Sequence, residues 1–150
     1  MSVAAFDTNI LLYAELETAR PKGQLANRLL KQLAGRGILA VQVLGEFVTV
    51  VRRKVPNATG LAMRQADVYR RVFDTVPTDD DLVVAAAAFA DRYRLQFWDA
   101  LIWQASVKGR ATVLLTEDMQ HGFSADGMRA VNPFIAPDWA TLARDLQISG

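Results

Sequence analysis

Apolar residues fall along this chain in two alternating rhythms. Short apolar runs at 3–6, 38–41 and 112–115 have the length expected of buried strands. Longer stretches between them repeat their apolar positions every three or four residues, as helix faces do. In 21–34, Leu25, Leu29, Leu30 and Leu33 share one face, and Pro21 suits a first helical turn. Gly35-Arg36-Gly37 then stops that helix. In 43–54 the apolar positions are 43, 44, 47, 48, 50 and 51. Its β-branched residues are compatible with a strand, but its length favours a helix. A turn at 56–60 leads into an amphipathic helix over 61–73. Thr78 followed by three aspartates reads as a capping-box start for a helix over 82–93. Another helix covers 98–108, closed by Gly109, and a last one follows Pro137-Asp138. Residues 74–77 and 129–132 are short extended pieces. Strands alternating with helices predict one α/β domain over 1–150, with a mainly parallel central sheet, helices on both faces and right-handed crossovers.

Composition narrows the chemistry. The chain has 150 residues, enough for one substantial core, and no cysteine. Disulfides, thiolate metal sites and cysteine nucleophiles are therefore excluded, and the composition suits a reducing cytoplasm. No Lys or Arg precedes the first apolar run, which soon meets Asp7, so the start does not read as a signal peptide. No apolar stretch approaches the roughly 20 residues of a membrane span. The formal net charge of +1 is unevenly distributed. From Arg20 to Arg71 there are eleven basic residues and two acids, whereas the remainder holds six basic residues and fourteen acids. A basic block beside an acidic one suits a protein that attracts a polyanion and also holds cations.

Four acids sit where strands end or helices begin, among apolar neighbours. Asp7 follows the first apolar run and precedes Thr8-Asn9. Glu46 lies in Gln42-Val43-Leu44-Gly45-Glu46-Phe47 and is the only acid between Glu17 and Asp67. Asp99 lies in Trp98-Asp99-Ala100, and Asp118 follows Thr116-Glu117 after the run at 112–115. Any of them alone is accounted for as a helix cap. Together, at the C-terminal edge of one parallel sheet, they would repel one another without local basic partners, and a divalent cation resolves that conflict. Oxygen-only ligands favour Mg²⁺ or Mn²⁺, and four carboxylates support one ion or two.

Asp7-Thr8-Asn9, the segment 42–47, Trp98-Asp99-Ala100 and the segment 114–122 resemble, in order and spacing, the four acidic signatures of PIN-domain ribonucleases, most closely the VapC-type toxins of bacterial toxin–antitoxin pairs. The resemblance spans nearly the whole chain. It implies a three-layer α/β/α fold, an acidic pocket that binds Mg²⁺ (Mn²⁺ being the other candidate) and metal-dependent cleavage of RNA. It assigns Asp7, Glu46, Asp99 and Asp118 as metal ligands and catalytic acids, with Asn9 and Thr116 orienting them. Glu117 adjoins Asp118, and either could face the metal; the family pattern favours Asp118. It also implies a small VapB-like antitoxin that blocks the pocket, and a homodimer with the apolar helices of the basic block as candidate interface. A bound divalent ion would make hydroxide available near neutral pH. With no cysteine and one histidine, water is a better nucleophile candidate than any side chain.

Other features read more plainly. Asp79, Asp80 and Asp81 face the positive end of a helix dipole. His121 reads as a structural or solvated loop residue. Trp98 reads first as a core residue and second as an aromatic that stacks on a base. Arg52-Arg53-Lys54 suits a helix end, and with Lys22 and Arg28 it is a candidate for binding phosphate or an acidic partner segment. A haloacid-dehalogenase-like phosphotransferase needs a second Asp where Asn9 stands, and a receiver domain needs a phosphorylatable Asp after a later strand. No glycine-rich phosphate loop is present. The main alternative is a PIN-like module that binds RNA or a partner without cutting.

Overall fold

A computed structural model describes residues 3–148. Met1, Ser2, Ser149 and Gly150, the outer ends of the predicted 1–150 domain, lie outside the described residues. The chain runs β1 (Ala4–Phe6), α1 (Thr8–Leu16), α2 (Pro21–Gln32), β2 (Gly37–Ala40), α3 (Val41–Lys54), α4 (Leu61–Val72) and β3 (Asp74–Val76). It continues through α5 (Asp80–Tyr93), α6 (Phe97–Lys108), β4 (Val113–Leu115), β5 (Ser124–Ala125), β6 (Met128–Val131), a 3₁₀ turn (Pro133–Ile135) and α7 (Trp139–Leu146).

The six strands lie in the order β3-β2-β1-β4-β6-β5, and every pairing is parallel except β5 with β6. The predicted α/β architecture with a mainly parallel sheet is therefore the one observed. β1 is central. From it the chain steps outward through β2 to β3, then returns past β1 to β4. Right-handed crossovers put α1–α4 on one face and α5 and α6 on the other, because the two sets of connections run in opposite directions. The reversal between β1 and β4 opens a crevice at their C-terminal ends, where ligands of open α/β sheets bind.

Burial explains why the strands are short and wholly apolar. All residues of β1, β2 and β4 are buried, as strands covered on both faces must be. Phe6 packs its ring 5.1 Å from that of Phe73, and truncating such a side chain to alanine costs about 3–5 kcal/mol. Gly37 lies beneath both rings: a Cβ there would come within 2.4 Å of Phe73 and 2.6 Å of Phe6. Gly23 serves a second close approach, since its own Cβ would fall 1.8 Å from the Glu17 carbonyl oxygen. Its absence lets α2 lie against the end of α1.

Three local expectations change. Val41 belongs to α3 rather than to the second strand, and is 43% exposed. Ala40 ends β2 because the sheet edge lies there, although the apolar run continues. Asp79 rather than Thr78 caps α5, its carboxylate accepting the Leu82 amide at 2.8 Å. Asp80 and Asp81 occupy the first turn, where the dipole favours acids. β5 joins β6 as a hairpin through Asp126 and Gly127, both at positive φ (54° and 78°), the conformation that favours this residue pair.

Candidate active site

Asp7 is delivered by the end of β1, whose last residue pairs with the last residue of β4 (Phe6 with Leu115). The Asp7 amide donates to the Leu115 carbonyl at 3.0 Å, extending the ladder one residue past the strand. Asp7 is also the N-cap of α1, its Oδ1 accepting the Thr8 amide at 2.7 Å. Its Oδ2 accepts the Thr116 hydroxyl at 2.7 Å. Thr116 is fully buried, and its Oγ1 in turn accepts the Asp118 amide at 3.1 Å. One hydroxyl thus ties the acid after β1 to the loop after β4.

Asp118 is oriented from the other side by Asn9, whose Nδ2 lies 3.2 and 3.4 Å from its two carboxylate oxygens. Asp99 enters from the first turn of α6 and accepts no hydrogen bond from any described residue. Asp7, Asp99 and Asp118 each bring a carboxylate oxygen to one place, all within 4.8 Å of one another. Glu46 stands apart from this trio but lines the same hollow of about 670 Å³. Both of its oxygens are engaged: Oε2 accepts the Thr8 hydroxyl at 2.6 Å and Oε1 accepts Gln42 Nε2 at 2.7 Å. Neither Thr8 nor Gln42 was singled out by sequence. Their only signal was position, one helical turn before Glu46 for Gln42 and beside Asp7 for Thr8.

The electrostatics follow from this crowding. Burial, opposed by the bonds from Thr116 and Thr8 and reinforced by Asp118 and Asp99, pushes the Asp7 carboxyl up to about 6. Asp99 is raised by burial and by Asp118 and Glu46. Asp118 is raised by burial and by Glu117 and Glu46. Among the described residues no ion pair reaches Asp7, Asp99 or Asp118. A converging, oxygen-only and uncompensated set fits a hard divalent cation, and it gives a thiolate- or imidazole-preferring metal nothing to bind.

Glu117 turns the other way. Lys22 Nζ lies 2.9 Å from its Oε2, and the Tyr13 hydroxyl donates to Oε1. Although burial works against it, these two donors hold the Glu117 carboxyl below its ordinary value. Lys22 also lies over the rings of Tyr13 and Phe134, at 5.0 and 5.1 Å. Arg28 stacks 3.8 Å over the Trp139 ring. Lys22 and Arg28 are thus committed within the domain, which leaves Arg52, Arg53 and Lys54 as the cations of that candidate patch. His121 accepts the Asn132 amide at Nδ1 (3.0 Å), a loop-bracing contact. Trp98, read first as core, is 60% exposed at the rim of the acidic hollow. It precedes Asp99 on α6, and the turn that aims Asp99 inward swings its neighbour outward.

The sequence profile of the PIN domain matches residues 4–124. No curated protein is similar enough in sequence to match it. Among solved structures, the fold is similar to a toxin–antitoxin complex from Klebsiella pneumoniae, with TM-score 0.65, 20% identity, and 87% of this chain and 97% of that one covered. It is similar to VapC20 of Mycobacterium tuberculosis, described as a toxin cleaving the sarcin–ricin loop, with TM-score 0.63, 20% identity and coverages of 77% and 91%. DNA-bound VapBC from Salmonella typhimurium gives TM-score 0.62 at 15% identity, with coverages of 87% and 97%. At these identities the likeness is one of fold.

Proposed function

The chain belongs to the PIN-domain family, and from that premise we propose that it is a Mg²⁺- or Mn²⁺-dependent endoribonuclease acting as the toxin of a type II toxin–antitoxin pair. The observation that carries the reading is the convergence of Asp7, Asp99 and Asp118 within 4.8 Å, at the crevice between β1 and β4, with no ion-pair partner among the described residues.

In this reading Asp7, Asp99 and Asp118 hold the ion, which when bound supplies a water of lowered pKa and positive charge for the phosphate oxygens. The residues of the chain do the rest. Thr116 and the Thr8 amide fix the Asp7 carboxylate, each taking one lone pair and leaving others free. Asn9 sets the rotation of Asp118. Asp99, free of hydrogen bonds from the described residues, lines the hollow and brings a carboxylate oxygen to the cluster. Glu46, steadied by Thr8 and Gln42, is the outer carboxylate that orients a water and accepts its proton. The basic block supports attraction of a polyanion.

A free nuclease would harm its host, so the reading includes a small antitoxin. A basic side chain on that partner suits the acidic hollow, and acidic residues on it suit Arg52, Arg53 and Lys54. That similar folds occur in a toxin–antitoxin complex and in VapBC supports this part of the proposal. A homodimer through the apolar helices of the basic block belongs to it as well. Among the described residues no helix is long and apolar enough to cross a membrane.

The test is cleavage of structured RNAs by the purified protein with Mg²⁺, Mn²⁺ or EDTA, alongside Asp7→Asn and Asp99→Asn. Cleavage in either metal that both substitutions and the chelator abolish is the expected result. Cleavage that survives them would sink the mechanism, and a folded protein that binds RNA without cutting any would favour the silent module.

A further inference from the structure

Trp98 is an exposed indole at the mouth of an acidic hollow. It is 60% exposed, whereas Trp103 on the same helix is completely buried. Its one ring contact is edge-on to Phe97, with centroids 5.0 Å apart and planes at 75°. That contact props the indole from its side. Burying such a ring is favourable, yet most of it is left in water.

The surroundings say what it meets. Trp98 shares its hollow with Asp7, Asp99 and Asp118. A second hollow shares Asn9 and Leu12 with the first and is lined also by Glu17, Arg20 and Lys54. Lys54 makes no ion pair with a described residue, and Arg20 has only a 3.8 Å contact with Glu17. Aromatic ring and acidic centre thus share one hollow, and two cations line the hollow that adjoins it. An apolar peptide would leave the acids unmatched. A polynucleotide matches all three: a base for the ring, a phosphate for the metal-binding acids and flanking phosphates for the cations. A stacked base must be unpaired, because in a duplex its faces are already covered.

We propose that Trp98 is the stacking platform for an unpaired base next to the scissile phosphate, with Arg20 and Lys54 on the neighbouring phosphates. This rests on the ribonuclease reading above and adds the residue that holds the base. Trp98 is a specificity-determining residue in it, and the acids keep the chemistry.

The test separates binding from cleavage. In an Asp7→Asn background with Mg²⁺, affinity is measured by anisotropy for a fluorescein-labelled 12-nucleotide unpaired RNA, for its duplex, and for a series carrying one abasic nucleotide at each position. Stacking on one ring is worth roughly five- to hundredfold in affinity. Trp98→Ala is expected to weaken the single strand by a factor in that range and leave the duplex within about twofold, with Trp98→Phe recovering most of the loss. One abasic position is expected to cost the parent a similar factor and cost Trp98→Ala nothing. A flat abasic series, or unchanged single-strand affinity in Trp98→Ala, overturns the proposal and assigns the ring to a protein partner. Absence of cleavage by the unsubstituted protein would sink the ribonuclease reading without touching the binding result.

Discussion

Thr116 Oγ1 donates to Asp7 Oδ2 at 2.7 Å across 109 residues of sequence, and that bond fixes the Asp7 carboxylate against the loop that carries Asp118. It is buried and charge-assisted, so losing it costs about 1.5–3 kcal/mol. Thr116→Val keeps the shape and removes the donor. The variant is expected to unfold at lower urea by about that amount. Cleavage should fall roughly 10–100-fold, the usual cost of losing a residue that orients a metal ligand. Thr116→Ser should recover most of both. Chemical denaturation and single-turnover cleavage check it.

Neutralising a metal-site acid should separate stability from activity. In EDTA at pH 8, Asp99→Asn removes a carboxylate that Asp118 and Glu46 oppose. Its melting temperature is expected to match or exceed that of the parent, while cleavage is lost. Stabilisation by added Mn²⁺ should shrink in the same variant, because ligand binding raises stability only as far as the folded state binds it. Scanning calorimetry with and without Mn²⁺ measures both; a metal-free melting temperature well below the parent's would contradict the repulsion.

The pH dependence of the metal-free protein follows from Asp7. Its folded carboxyl is pushed up to about 6 from an ordinary 3.8. The folded chain therefore holds that proton more tightly than the unfolded chain. Its contribution to stability is fully present below pH 3.8 and lost as pH rises through about 6. Glu117, with a lowered carboxyl, acts oppositely and loses its contribution as pH falls below the ordinary glutamate range. In EDTA, melting temperature is expected to decline between about pH 4 and pH 6.5, and Asp7→Asn should flatten that decline.

Adjacent acids should behave differently. Glu117 is bound to Lys22 and Tyr13, whereas Asp118 lies with Asp7 and Asp99. Glu117→Gln is expected to leave cleavage within about threefold of the parent. Asp118→Asn should reduce it at least as far as Thr116→Val does. Lys22→Met removes a partly exposed pair and should cost no more than about 1 kcal/mol. Initial rates and urea midpoints decide these.

Gly23 offers a packing test away from the chemistry. A methyl group there meets backbone oxygens of Glu17 at 1.8 Å and Tyr13 at 2.7 Å. Gly23→Ala is expected to destabilise by about 1–3 kcal/mol, the range for overpacking. In an ordinary exposed helix the same change would stabilise by up to about 1 kcal/mol. A urea titration reads the sign directly.

Much of this was legible in the sequence because burial on two faces leaves an unmistakable run of apolar residues. Ala4–Phe6, Gly37–Ala40 and Val113–Leu115 are such runs, and the acids beyond the first and third of them stood out for that reason. What stayed hidden depends on where neighbouring chain segments lie. Glu46 is an acid like Asp99 but is turned to Gln42, one helical turn before it, and to Thr8, a pairing across 38 residues that no local pattern announces. Trp98 is apolar enough for any core, and only the direction of Asp99 decides that it faces water. β5 has two residues, too few for periodicity, yet Asp126-Gly127 is a hairpin signal in its own right.

The chain reversal between β1 and β4 also sets a schedule. Asp7 is synthesised before Asp99 and Asp118, and β4, the strand that pairs beside it, emerges only after β2, β3 and the helices between them. Domains fold as units during synthesis. A chain interrupted between residues 47 and 112 carries Asp7 and Glu46 but lacks the Thr116 and Asp118 that complete the centre. Such a partial product cannot assemble the acidic centre, so whatever chemistry the centre supports waits until the end of β4 has been made.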